Sequence, residues 1–152
     1  VQTNDGAYYG YDAPSANPAG SAATTSIGLL CRMYMGWPKE KKGIADGVKF
    51  IAGVGPSKTN VYYNYYATQV MRQYGGPEWD RWNEAMRNQL VDSQEKSGHA
   101  AGSWFSGTLE DWSHEQQGGR LYCTAMSTMI LEVYYRYMPL YGDKSTEDDF
   151  EL

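Results

Sequence analysis

The chain has 152 residues, 41% of them hydrophobic, with 13 Lys and Arg against 18 Asp and Glu and a formal net charge of −5 at neutral pH. That length allows one domain with a real core, and the densest basic group, Lys39, Lys41 and Lys42, falls short of the footprint a nucleic acid partner needs. Two cysteines, Cys31 and Cys123, are too few for a disulfide scaffold, and no charge-free run of about 18 apolar residues marks a transmembrane segment.

Residues 1–20 are rich in Gly, Pro, Asn and Ala with a tyrosine cluster, Tyr8, Tyr9 and Tyr11, and read as a loop. Residues 21–35 form a first helix whose one charge is Arg32. Gly36-Trp37-Pro38 ends it, and Pro38 suits the first turn of the next helix. That second helix, 39–52, carries Ile44, Val48 and Ile51 on one stripe and lysines elsewhere, although glycines inside it lower its helix propensity. Residues 53–59 are a turn. Its Gly55-Pro56-Ser57-Lys58-Thr59 lacks the Gly-Lys-Ser/Thr ending and the preceding strand of a phosphate loop.

A third helix, 60–74, again holds a single charge, Arg72. Its many aromatic and β-branched residues do not alternate, and the run is long, so helix prevails over strand. The fourth, 77–93, is the clearest. Trp79, Trp82, Met86 and Leu90 recur at three and four residues, and Asp80, Arg81, Glu84 and Arg87 cover the other side. Pro77 and Glu78 fit its first turn. A long loop, 94–119, leads to a fifth helix, 120–138, stopped before Pro139. Residues 142–152 read as a disordered acidic tail.

Helices one, three and five carry almost no charge, while two and four are amphipathic and charged. A helix apolar on nearly all sides is buried on nearly all sides; one with a single apolar stripe faces water with the rest. The alternation predicts an all-α fold of two concentric layers, a partial α/α toroid of about five helices spanning residues 1–141. Both cysteines fall in apolar segments, which predicts two buried thiols. They sit on different inner helices, and a disulfide would need their Cα atoms within about 7 Å.

A Gln and a Gly-x-aromatic unit occur twice: Gln2 with Gly6-Ala7-Tyr8, and Gln94 with Gly102-Ser103-Trp104. In each case a nearly charge-free helix comes next. This resembles the QW repeats of squalene/triterpene cyclases and of protein prenyltransferase β subunits, over roughly residues 2–141. The resemblance implies an α/α toroid of about twelve helices when complete. With the chain opening at Val1 inside a motif, it implies the C-terminal portion of a longer polypeptide. It also implies a structural role for Gln94 and Trp104, the Gln capping helix ends and the aromatic stacking on the neighbouring repeat.

The chemistry of that family is harder to place here. The cyclases protonate squalene with an Asp-x-Asp-Asp acid and hold carbocations over aromatic faces. The string nearest to it is Thr146-Glu147-Asp148-Asp149, which has Thr in the first Asp position and reads as a solvated charge run. The prenyltransferases hold zinc with Asp-x-Cys and a distant His. No Asp-x-Cys occurs, and Asp111, His114 and Cys123 match no compact zinc spacing, so no metal and no cofactor is expected. The densest titratable set beside aromatics is Glu110-Asp111-Trp112-Ser113-His114-Glu115. Asp111, His114 and Glu115 are the candidate catalytic groups, and Trp104, Trp112 and Tyr122, with Tyr62 and Tyr66 of the third helix, the candidate ligand-binding set. Arg32, Arg72 and Arg136 lie near helix C-termini, where the helix dipole favours a cation.

The expected function is ligand binding, for an apolar or isoprenoid small molecule, or scaffolding, with the remainder of its own chain or a second copy as partner. The alternatives are the C-terminal part of a genuine isoprenoid enzyme with its acid or zinc ligands upstream, and an α/α-barrel carbohydrate-active enzyme using the Glu110–Glu115 loop as acid and base.

Overall fold

A computed structural model describes residues 2–11, 22–105, 114–136 and 140–141, with backbone alone for His114, Glu115, Gln116 and Tyr134. Asp111, Trp112 and the acidic tail lie outside the described residues. The elements are β1 (Gln2–Thr3), β2 (Tyr8–Tyr9), α1 (Ala22–Tyr34), α2 (Lys42–Val54), α3 (Val61–Tyr74), α4 (Gly76–Ser93), α5 (His114–Leu131) and α6 (Val133–Arg136), with 3-10 turns at Asn4–Gly6 and Gly98–Ala100. The fold is all-α apart from the antiparallel β1–β2 pair, in which Gln2 faces Tyr9 and Thr3 faces Tyr8.

Helix α1 packs on α3, and α3 packs on α5, so these three form a row. Helices α2 and α4 touch each other and both lie against α3, and α2 also lies against α1. Helix α3 is therefore covered on several sides. Its buried set, from Val61 through Ala67 and Val70 to Gln73, runs around most of its circumference. The expectation of all-round burial holds for α3 and fails for its neighbours. Each of these has α3 on one flank only, so α1 leaves Cys31 and Tyr34 exposed and α5 leaves Leu121, Ala125 and Thr128 exposed. Cys31 is thus an exposed thiol where a buried one was expected, whereas Cys123 is buried; neither is in a disulfide, and α3 separates their helices.

One hydrogen-bond arrangement recurs in all three members of the row. In α1, Thr25 Oγ1 accepts from the Tyr9 N–H at 3.0 Å and donates to the Tyr9 carbonyl at 3.5 Å. In α3, Asn64 Oδ1 accepts from the Ser57 N–H at 2.8 Å while its Nδ2 donates to the Ser57 carbonyl at 2.7 Å. In α5, Thr124 Oγ1 accepts from the Trp104 N–H at 3.1 Å and donates to the Trp104 carbonyl at 3.4 Å. One short polar side chain of each row helix thus bonds both backbone groups of one residue that precedes the helix, and at Tyr9 the neighbouring Thr24 Oγ1 also donates to the carbonyl, at 2.6 Å. Without it the N–H of Tyr9, Ser57 or Trp104 would lose this partner, at about 1–3 kcal/mol when buried, while the Tyr9 and Ser57 carbonyls also accept from Thr24 Oγ1 and Gln89 Nε2. Three residues beyond each clamp stand Gly28, Ala67 and Ser127, all small. At the first of them the reason is visible: a Cβ on Gly28 would lie 2.4 Å from the Tyr9 ring.

Residues 2–11, read as part of an N-terminal loop, are a folded plug. Tyr9 lies on Gly28, and the backbone of Asp5 to Ala7 presses on α2. This explains the glycines that weaken α2 as a helix: a Cβ on Gly43 would meet the Asp5 carbonyl oxygen at 2.4 Å, and one on Gly47 the Ala7 oxygen at 2.8 Å. Arg32 does more than answer the α1 dipole, since it donates to Gln2 Oε1 at 2.7 Å and to the Tyr9 hydroxyl at 3.1 Å. Its guanidinium also lies 4.7 Å from the Trp37 ring centroid, with the Lys41 ammonium 4.0 Å from the same ring. At the other end of the chain, the Leu140 N–H donates to Gln73 Oε1 at 2.6 Å and the Tyr141 hydroxyl donates to the Trp37 carbonyl. Residues 140–141 thereby tie back to α3 and to the α1–α2 turn.

Helix ends fall close to the expected ones, with three differences. Asn60 caps α3 through Oδ1 to the Tyr63 N–H at 2.7 Å. Helix α2 starts later than expected, at Lys42. Helix α5 starts earlier, at His114, and has a break at Gly119 (φ 63, ψ −160) before the run from Arg120. The expected fifth helix also divides, α5 ending at Leu131 and α6 beginning at Val133.

Two glycines of α2 should respond oppositely to the same substitution. Gly43→Ala places a methyl against backbone that has no room, and is expected to lose about 1–3 kcal/mol despite better helix propensity. Gly53 has nothing within 4 Å of a built Cβ, so Gly53→Ala should gain up to about 0.5–1 kcal/mol. Urea unfolding of both variants checks the difference in sign.

Candidate functional site

A groove of about 540 Å³ opens between the start of α3, the end of α4 and α5. Ser57, Asn64 and Gln89 form one side; Leu90, Trp104 and Ser127 line the rest, with Phe105 at the rim. Ser57 is its hub. Its carbonyl receives Asn64 Nδ2 and, from α4, Gln89 Nε2 at 2.7 Å. Its Oγ accepts from the N–H groups of Thr59 and Asn60 at 3.3 and 3.1 Å. A turn containing Gly, Pro and Ser is thereby pinned to two helices.

The opposite wall is the Gln94–Trp104 loop. Its backbone closes on itself, with the Glu95 N–H donating to the Ser103 carbonyl at 2.9 Å and the Gly102 N–H to the Glu95 carbonyl at 2.8 Å. Gln94 Nε2 donates to the Gly102 carbonyl at 3.0 Å. The side chain therefore staples the loop, whereas the resemblance implied that it caps a helix end. Trp104 is buried, and its indole N–H donates to the Leu90 carbonyl at 2.7 Å, so the ring is bonded as well as packed. Beyond it Phe105 is 41% exposed. The Arg120 guanidinium lies 5.5 Å from the Phe105 ring centroid and donates to Ser103 Oγ at 3.1 Å.

The first Gln–Gly–aromatic unit is built differently. Gln2 accepts from Arg32. The residue in Trp104's place on the clamp is Tyr9, not the Tyr8 of the motif; Tyr8 instead meets Phe50 edge to face at 5.3 Å. Gly6 lies against the Trp37 ring, which a Cβ there would approach to 2.9 Å.

The expected ligand set is divided. Trp104 lines the groove, while Tyr62 and Tyr66 form another cluster on α3 with ring centroids 4.9 Å apart, joined by Tyr65 at 5.0 Å from Tyr66. Tyr122 is half-buried on α5, next to Gly118, where a Cβ would meet its own at 2.5 Å. Glu110, Asp111 and Trp112 lie outside the described residues. His114 and Glu115 open α5, with their side chains undescribed. Among the described residues no three His, Cys, Asp or Glu side chains gather as a metal site, and no helix is long and apolar enough to cross a membrane.

The groove can hold a ligand between an indole–phenyl wall and a wall of amides and hydroxyls. Its charged members are Lys58 and Asp92, both exposed. Ser57, Asn64 and Gln89 were not singled out from sequence. The available signal was Asn64, an amide inside a nearly charge-free helix, since a buried amide must find partners. Next to it on α3, Tyr63 is buried against Trp82, at 6.0 Å between centroids, and donates to the Gly55 carbonyl at 3.1 Å. Burial pushes its hydroxyl well above the ordinary tyrosine value. No family model, curated protein or solved structure matches the chain.

Substitutions at Trp104 and Tyr63 separate bonding from packing in this region. Trp104→Phe keeps most of the ring and loses the bond to Leu90, for about 1 kcal/mol, whereas Trp104→Ala should lose about 3–5 kcal/mol; urea midpoints distinguish the two. Tyr63 stays protonated in the folded chain where the unfolded chain ionises. Its contribution is thus intact below pH of about 10 and is lost as pH rises beyond that. Stability measured from pH 8 upward (roughly two units below the ordinary tyrosine value) should fall less steeply in Tyr63→Phe than in the parent.

Proposed function

We propose that the chain is an α/α repeat domain of the squalene cyclase/prenyltransferase kind, with its α1–α3–α5 row as part of a toroid's inner layer. Its task is to bind: an apolar or isoprenoid molecule in the groove beside Trp104, and further helical structure along the row. The observation that carries this reading is the clamp that occurs three times, at Thr25, Asn64 and Thr124, on successive helices of one row. Such recurrence is the mark of stacked equivalent units, each burying its face on the next. The burial of Trp104 and its bond to α4 support the structural role that the resemblance gives this residue, while the Gln94 side chain departs from it.

The groove's size suits a small molecule, since ligand sites run to roughly 300–1,000 Å³. Its indole and phenyl wall favours an apolar body. The amides opposite are held by Ser57, which favours a ligand that asks little of them beyond a terminal hydroxyl. Binding is preferred to turnover because the nearest acid string, Thr146-Glu147-Asp148-Asp149, has Thr in its first Asp place.

Farnesol, a soluble isoprenoid alcohol, is the probe. Titrated onto the protein, it should change tryptophan fluorescence saturably, lose that response in Gln89→Leu with Phe105→Ala, and be recovered unchanged by gas chromatography. A cyclised, dehydrated or transferred product would overturn the binding role, and an unsaturable response would remove the ligand.

A further inference from the structure

We propose that the bare face of α5, formed by Leu121, Ala125 and Thr128, is the seat of one amphipathic helix of α4's kind, supplied by a partner. The inference deepens the repeat reading and rests on it. The clamps set the register between row helices: with Asn64 equivalent to Thr124, Val61 corresponds to Leu121 and Thr68 to Thr128. On α3 both positions are buried, and α4 lies beside them. The Trp82 indole N–H donates to Thr68 Oγ1 at 2.9 Å, and Leu90 lines the groove together with Val61. Val61 is 5% exposed and Thr68 2%. On α5 the equivalent Leu121 is 82% exposed, and Thr128 is exposed too. The two helices share the seat, and among the described residues the one on α5 lacks an occupant.

The covering stripe on α4 is Trp82, Met86 and Leu90, spaced by four residues, with charged residues on the outer side. Thr128 Oγ1 spends its proton on the Thr124 carbonyl at 2.9 Å. Its oxygen is left to accept an indole N–H, as Thr68 does from Trp82. A second copy of this chain is a poor occupant, because its own Trp82, Met86 and Leu90 are buried on its own α3. The face therefore selects a partner's helix with Trp, Met and Leu, or residues of that kind, at four-residue spacing.

The probe is a fluorescently labelled synthetic peptide of residues 76–93, titrated onto the whole chain and followed by anisotropy. Binding should saturate, weaken at least tenfold when the peptide carries Trp82→Ala, and weaken at least tenfold on Leu121→Asp protein. Because Leu121 is 82% exposed, that variant should keep the parent's melting temperature, so lost binding is not lost folding. Absence of saturation, or equal affinity for the Leu121→Asp protein, overturns the proposal. So does a concentration-dependent dimer in sedimentation that Leu121→Asp disperses, since a second copy then takes the face. The repeat reading fails separately, if the three clamp positions prove energetically unlike one another.

Discussion

Each loop that enters a row helix must surrender its backbone hydrogen bonds to water or find replacements in the helix it touches. Thr25, Asn64 and Thr124 supply those replacements, and much else depends on them. Tyr9, Ser57 and Trp104 are fixed in place, and each then organises its surroundings. Tyr9 lies on Gly28 and receives Arg32. Ser57 gathers Asn64 and Gln89 and so ties α3 to α4. Trp104 reaches the last turn of α4 through Leu90 and so closes the groove. A helix row without these clamps would keep its apolar contacts but lose the bonds that fix Tyr9, Ser57 and Trp104 against it.

The groove is a by-product of this arrangement. Ser57 and Asn64 of one clamp and Trp104 of another line it. Ser57 is consequently committed: its carbonyl takes two amide donors and its hydroxyl oxygen accepts from two backbone N–H groups. Displacing a committed group costs more than occupying the space beside it, which is why shape and apolar contact should govern what binds. The exposed Phe105, held near Arg120, is the most adaptable part of the rim.

The helices were legible because charge and apolar spacing are local signals. The stripe Trp82, Met86, Leu90 and the charge-free run of α3 both place themselves without knowledge of neighbours. What was not legible depends on approach between distant segments. Gly43 and Gly47 read as weak points of α2, yet they are the places where the backbone of residues 5–7 presses closest. The N-terminal plug read as loop because its order comes from α1 and α2 and not from its own pattern. The split between exposed Cys31 and buried Cys123 reflects position in the row, which apolar content does not encode. Of the site, Trp104 and Gln94 were visible as a motif, whereas Ser57 and Gln89 became evident only through Asn64. The tyrosines of α3 divide by face: Tyr63 goes to Gly55 and Trp82, and Tyr62 with Tyr66 elsewhere.

The central claim is that three clamps are equivalent joints of one repeat. Equilibrium urea unfolding of Thr25→Val, Asn64→Leu and Thr124→Val tests it most directly. Equivalence predicts that each variant loses about 1–3 kcal/mol, the half-buried Thr124 the least, all within one cooperative transition of unchanged slope. A loss at Asn64 alone, with Thr25→Val and Thr124→Val indistinguishable from the parent, would contradict it and leave an all-α bundle with one incidental amide bond.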